Sequence, residues 1–129
     1  MQYLAGTDSV HTTAAICDYL DDRATADDEV AVVSVAPPAT PATARDREEA
    51  LNVAPVRLAT IGSVETDLRE SDEEPALELL AAADEVAADE IVIGAYSGNP
   101  AATAELGATA QTLLTAASCP VVVVPIPEL

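Results

Sequence analysis

Ile91-Val92-Ile93-Gly94-Ala95-Tyr96-Ser97-Gly98-Asn99-Pro100, an Ala/Thr-rich run through Gly107, a helix-like segment and Cys119-Pro120-Val121-Val122-Val123-Val124-Pro125 form the stretch that decides how this chain is read. Up to Pro127 it holds three of the five glycines and a single charged residue, Glu105, in a chain of formal net charge -18. Two β-branched runs flanking a glycine loop and a helix start describe a strand–loop–helix–strand unit. Such a unit cradles phosphate, and it equally builds a plain core and a subunit contact. Both readings explain the missing charge.

The rest of the composition is just as uneven. Asp and Glu number 23 against five arginines (Arg23, Arg45, Arg47, Arg57 and Arg69), with no lysine. Acid on this scale keeps a surface hydrated where salt is abundant, because the screening length falls to about 3 Å at 1 M. The composition therefore points to the salt-rich cytoplasm of a halophile, a halophilic archaeon being the expected source, with a generic acidic protein as the alternative. It also argues against nucleic acid as a partner, since no basic stripe faces phosphates. Apolar residues make up half the chain, yet Phe and Trp are absent, so small aliphatic side chains must fill the core. A length of 129 residues predicts one domain spanning 1–129. The N-terminus has no basic region or long apolar run, and no window reaches the roughly 20 apolar residues of a membrane span. A soluble, cytoplasmic protein with Cys17 and Cys119 as free thiols is expected.

Along the chain, Gln2 to Thr7 reads as a strand, and Asp8 or Ser9 supplies the N-cap oxygen of a helix carrying Val10, Ala14, Cys17 and Leu20. Val30 to Val35 is a continuous β-branched run of the kind buried on both faces of a parallel sheet. Thr43 to Asn52 is a helix candidate with Arg45 and Arg47 on its polar face. Val56 to Ile61 alternates and ends at Gly62, which predicts a third strand. The acidic stretch from Val64 reads as a connection ending in Ser71-x-x-Glu74-Pro75, a helix-start signature. Leu79, Leu80, Ala83, Val86 and Ala87 continue that helix. Ile91 to Ile93 is the fourth strand. Ala110, Leu113, Leu114 and Ala117 form a last helix, and Val121 to Val124 the fifth strand. Strands alternating with helices imply an α/β fold with a parallel sheet and right-handed crossovers.

Asp8-Ser9 at the first strand end, Ala88-Asp89-Glu90-Ile91-Val92-Ile93-Gly94, the spaced glycines and the terminal Cys119-Pro120-Val121-Val122-Val123-Val124-Pro125 together resemble the universal stress protein family over the whole chain. The resemblance implies a five-stranded parallel sheet in the order 3-2-1-4-5 with helices on both faces, Rossmann-like and similar to the adenine nucleotide alpha hydrolases, and usually a dimer. In nucleotide-binding members the phosphate loop follows Gly-x2-Gly-x9-Gly-(Ser/Thr), a strand-one aspartate contacts the nucleoside, and strand-two backbone near a valine receives the adenine. Asp8 and Val35 match the aspartate and the valine. Gly94 and Gly107 match the first and third glycines. Ser97 stands where the second glycine belongs and Ala108 where the hydroxyl belongs, while Gly98 and Thr109 each lie one residue further on. The resemblance thus implies ATP or another adenine nucleotide, with Mg²⁺, on a degenerate loop; a site holding no nucleotide is the alternative.

Such a loop needs glycines so that backbone N–H groups approach phosphate oxygens, and a helix N-terminus behind them. No Lys or Arg occurs from Glu70 to Leu129, so a phosphate loop with no cation beside it is expected. His11 lacks a Cys or His partner at ligand spacing and reads as an exposed first-turn residue. Glu105 reads as a solvated loop acid. Asp8 can be a cap as readily as a ligand. No Ser-His-Asp, Cys-His or paired-carboxylate arrangement emerges, so a regulatory module rather than an enzyme is expected. Thr109, Gln111, Thr112, Thr115 and Ser118 are neutral where an exposed helix of this chain would carry acid, which predicts a covered surface. A homodimer through the Val121–Val124 edge, limited at its far end by Pro125 and Pro127, follows. The competing function is a dimerisation module without nucleotide, acting on a protein partner that the residues do not name.

Overall fold

The computed structural model describes residues 1–38, 41–95 and 107–126. Along them run β1 (Gln2–Gly6), α1 (Val10–Asp21), β2 (Glu29–Ala36), α2 (Pro41–Arg57), β3 (Ser63–Glu70), α3 (Pro75–Val86), β4 (Glu90–Gly94), α4 (Ala108–Ala116) and β5 (Val121–Val124). Every strand pair is parallel, and the order is β3-β2-β1-β4-β5, as expected. Gly6 lies level with Val33 on one side and Ile93 on the other. β2 then runs three residues further, to Ala36, and β4 one further, to Gly94. The carboxyl end of β1 is therefore recessed between its neighbours.

Period-two alternation divides the core between the two faces of the sheet. Tyr3, Ala5, Val30, Val32 and Val92 pack with Ile16, Cys17 and Leu20 of α1 and Leu51 of α2. Leu4, Val33, Ile91 and Ile93 pack on the opposite face with Leu79 and Ala83 of α3 and Leu113 of α4. Because both faces are covered, the interiors of the inner strands are nearly all apolar, Ser34 of β2 being the exception. Val10 and Leu114, placed on buried faces by spacing, are 47% and 49% exposed.

The third strand is where the sequence reading goes wrong. Val56 to Ile61 does not form a strand: α2 continues through Pro55 to Arg57, and Leu58 and Ile61 extend its buried side beyond Leu51 and Ala54. The true β3 is the acidic Ser63–Glu70 segment, taken above for a connection. It is an edge strand on which no residue is fully buried. Val64 and Leu68 touch the core, while Arg69 pairs with Asp67 at 3.0 Å, Glu78 at 3.5 Å and Glu85 at 2.9 Å. Polar composition here is protection of an edge rather than absence of a strand.

Two helix ends also depart from expectation. Glu74, not Ser71, is the N-cap of α3, with Pro75 at the first position; Ser71 Oγ instead accepts the Glu73 amide at 3.0 Å. At the other end Ala87 adopts the left-handed conformation, φ 53°, with the Ala88 amide closing on Ala83 O at 2.9 Å. Both thiols are free, Cys17 buried and Cys119 half-buried. Among the described residues, no helix is long and apolar enough to cross a membrane.

Candidate functional site

The recess at the end of β1 opens into a cleft of about 280 Å³. Its walls come from every element that ends there. Gly6 ends β1 and Thr7 and Asp8 follow it, Val33 and Val35 belong to β2, Arg47 to α2, Leu79 to α3, Gly94 and Ala95 to the end of β4, and Gly107 to Ala110 to the start of α4. This is the place where strand order reverses, which is where open α/β sheets bind ligands. Among the described lining residues, Asp8 is the one acid and Arg47 the one base.

The β1–α1 turn is built from short polar side chains. The Thr7 amide donates to Val33 O at 3.0 Å, and Ser34 Oγ donates to Thr7 O at 2.6 Å, so the turn is pinned to β2. Thr7 Oγ1 and Thr13 Oγ1 share a bond of 2.7 Å inside the turn. Ser9 caps α1, its Oγ accepting from the Thr12 amide at 3.1 Å. Asp8 is thereby released from capping, and its Oδ1 accepts from Thr12 Oγ1 at 3.3 Å at the cleft wall. Burial pushes its carboxyl above the usual carboxylate range, and the Arg47 charge and the Thr12 hydroxyl pull the other way.

Another wall is the N-terminus of α4. The Gly107 amide donates to Ala95 O at 3.1 Å, and the Ala95 amide to Val124 O at 2.9 Å, so the helix start is tied to the end of β4. Gly107 is the N-cap and supplies no side-chain bond. The first intrahelical amide is that of Gln111, which donates to Gly107 O at 3.1 Å. The amides of Ala108, Thr109 and Ala110 therefore precede the helical ladder and carry its positive dipole end.

Of the residues singled out by sequence, Asp8, Val35, Gly94, Gly107, Ala108 and Thr109 meet around this one cleft. Ser97 and Gly98 lie outside the described residues, as does Glu105. Gly94 also has a packing reason to be glycine: a Cβ there would lie 2.8 Å from Ile126 Cδ1 and 3.0 Å from Thr12 Cγ2. His11 is half-buried rather than exposed, and among the described residues no three His, Cys, Asp or Glu side chains converge on a metal position.

A cation does reach the cleft, from outside residues 70–129. Arg47, assigned by sequence to a polar helix face, reaches across from α2. Its Nη1 donates to the Asp8 carbonyl, and its Nε donates to the Val35 carbonyl at 3.3 Å. No local pattern could have singled it out from Arg45, because the acceptors lie on two other elements.

The universal stress protein family matches residues 3–125. No curated protein sequence matches the chain. Among solved structures, the chain is similar to the universal stress protein from Archaeoglobus fulgidus in complex with dAMP, at 20% identity and TM-score 0.70, covering 96% of this chain and 97% of that one. It is similar to a universal stress protein in complex with cAMP, at 23% identity and TM-score 0.70, with 98% of both chains covered. It also resembles an Arabidopsis thaliana protein of the family with AMP bound, at 13% identity and TM-score 0.66, covering 99% and 93%.

Proposed function

The chain belongs to the universal stress protein family, and from that membership and the cleft at the end of β1 we propose that it is a regulatory domain that binds an adenine nucleotide. One observation carries this reading: Asp8 and the open N-terminus of α4 line the same cleft. A carboxylate accepts hydrogen bonds from sugar hydroxyls, and unladdered helix amides donate to phosphate oxygens. The adenine nucleotides held by the similar structures support the choice of ligand. Gly94, Gly107, Ala108 and Thr109 form the phosphate side, with Ser97 and Gly98 between them in sequence; Asp8 and Val35 form the nucleoside side. Where the ligand is ATP, Mg²⁺ arrives on the phosphates, since Asp8 is the lone acid among the described lining residues.

The reading is of binding rather than turnover, in a single cytoplasmic domain without nucleic acid or membrane as partner. The acidity that motivates a salt-rich cytoplasm belongs to the same proposal, and a melting temperature that climbs with KCl is its check. Titration calorimetry with AMP, ADP and ATP in molar KCl, with and without Mg²⁺, tests the ligand. Heat from wild type that is lost in Asp8→Ala supports the site; no heat from any of the three overturns the nucleotide reading.

Assembly is a second, compatible reading, favoured by the outer edge of β5. The Ile91 amide donates to Pro120 O and the Ala95 amide to Val124 O, each at 2.9 Å. Even-numbered residues thus face β4, and the backbone groups of Val121 and Val123 face outward. Pro125 falls in the outward set and brings no N–H. We read this edge as the contact of a homodimer, covering the neutral face of α4 beside it. Without nucleotide binding, it leaves a pure dimerisation module.

A further inference from the structure

β2 outruns β1, and the ladder between them lapses at the mouth of the cleft. Val33 O accepts the Thr7 amide at 3.0 Å, so Val35 O is the next carbonyl in line on this side of β2. β1 has ended at Gly6, and the chain level with Val35 has already turned into the cap of α1. Arg47 occupies the gap: its Nε donates to Val35 O at 3.3 Å and its Nη1 to Asp8 O. One guanidinium thus joins the overhanging end of β2 to the residue that carries the acid of the cleft. Each carbonyl keeps a second lone pair, so the bridge holds this wall without closing it to the donors of a ligand.

The arm that makes the bridge is itself held. Ala50, Leu51 and Ala54, three, four and seven residues beyond Arg47 on α2, are all buried, so Arg47 leaves the helix on its packed side. Arg45, two residues earlier, is off that side and exposed. At the far end of the bridge, the Asp8 carboxylate is steadied by the Thr12 hydroxyl at 3.3 Å, while Arg47 steadies the backbone beneath it. Burial raises the Asp8 carboxyl, and the Arg47 charge is the largest influence opposing that rise.

We propose that Arg47 is a positioning residue of this cleft: by bridging the Asp8 and Val35 carbonyls across the gap left by the end of β1, it fixes the backbone from which the Asp8 carboxylate meets the sugar hydroxyls of a nucleotide. This rests on the nucleotide reading of the cleft and deepens it. AMP and its dideoxy analogue, which lacks both sugar hydroxyls, are the probes. Base and phosphate are the same in the two, so the electrostatic loss on removing a cation is common to both and cancels in their affinity ratio.

The test is titration of both nucleotides into wild type, Arg47→Ala and Arg47→Lys in molar KCl, read by ligand-detected NMR so that weak binding is still measured, with thermal melts to confirm folding. Wild type should prefer AMP by about tenfold or more, the scale on which a site built around a substrate hydroxyl rejects the analogue without it. In Arg47→Ala the ratio should fall toward one although Asp8 is untouched. Arg47→Lys keeps the charge but not the planar fork that spans two carbonyls, and its ratio should fall as well. A ratio kept in both variants overturns the positioning role, as does loss of the dideoxy analogue together with AMP, since that analogue has no hydroxyl for Asp8 to meet. A ratio restored by Arg47→Lys assigns the effect to charge and overturns the bridge. Equal affinities in wild type overturn the sugar contact of Asp8 and this inference with it, whereas no binding of AMP to wild type overturns the nucleotide reading itself.

Discussion

Ser9 Oγ accepts the Thr12 amide at 3.1 Å, and this bond frees the carboxylate one residue earlier, Asp8, from capping the helix. The two residues should separate cleanly by mutation. Ser9→Ala removes the cap and lowers stability by about 1 kcal/mol, with the fold intact. Asp8→Ala leaves the cap in place; it should abolish nucleotide heat in calorimetry and change the melting temperature less than Ser9→Ala does. A large melting loss in Asp8→Ala with nucleotide binding preserved would reverse these assignments.

The Asp8 carboxyl also sets a pH dependence. Burial raises it, against the opposing Arg47 charge and Thr12 bond. Since the folded value exceeds the unfolded one of 3.8, protonation favours the folded state. That contribution is complete below the unfolded value and is lost as pH rises through the folded one. The ionised form at neutral pH is thus the less stable one, and Asp8→Asn, whose amide oxygen can still accept from Thr12, should melt above wild type there. Melts taken down to about pH 3 should show the gap closing. A gap that stays constant with pH refutes the account.

Ala87 ends α3 in the left-handed region at φ 53°, where a Cβ crowds the backbone and glycine does not. Ala87→Gly should therefore stabilise the protein, by about 1 kcal/mol. The sign is the opposite of the usual effect of Gly within a helix. Chemical denaturation of the two proteins checks it, and a loss of stability in the glycine variant sinks it.

At the β5 edge, the N–H of Val123 faces away from β4. Val123→Pro deletes that donor while sparing the ladder inside the sheet. Light scattering in molar KCl should give twice the chain mass for wild type and a monomer, at equal concentration, for the variant. A wild-type monomer removes the dimer from the proposal; a variant dimer moves the contact elsewhere.

What could be read from sequence followed burial. β2, β4 and β5 were legible because strands covered on both faces are mostly apolar, as Val30–Val35, with Ser34 its one polar residue, and Val121–Val124 are. β3 was not, because an edge strand is recognised by its pairing, and the Ser63–Glu70 side chains are chosen to face water. The apolar residues just before it, Leu58 and Ile61, continue the helical spacing of Leu51 and Ala54, and were mistaken for alternation. The cleft residues on β1, β2, β4 and α4 were legible through strand ends and glycine spacing. Arg47 was not, since its position depends on β2 being longer than β1, a fact of register. The choice between Asp8 and Ser9 as cap required hydrogen-bond geometry that either side chain could have supplied.

The two margins of the sheet differ in kind. Along β3, Arg69 is enclosed by Asp67, Glu78 and Glu85, and a second sheet approaching that side meets fixed charges and water. Along β5, valine backbone groups point outward until Pro125 interrupts them. In the vocabulary of polymers the sheet is a monofunctional unit: it has one reactive end, and joining two such ends terminates growth. Strand-to-strand association through β5 would close at two copies, so pairing along that edge would not extend into a fibre.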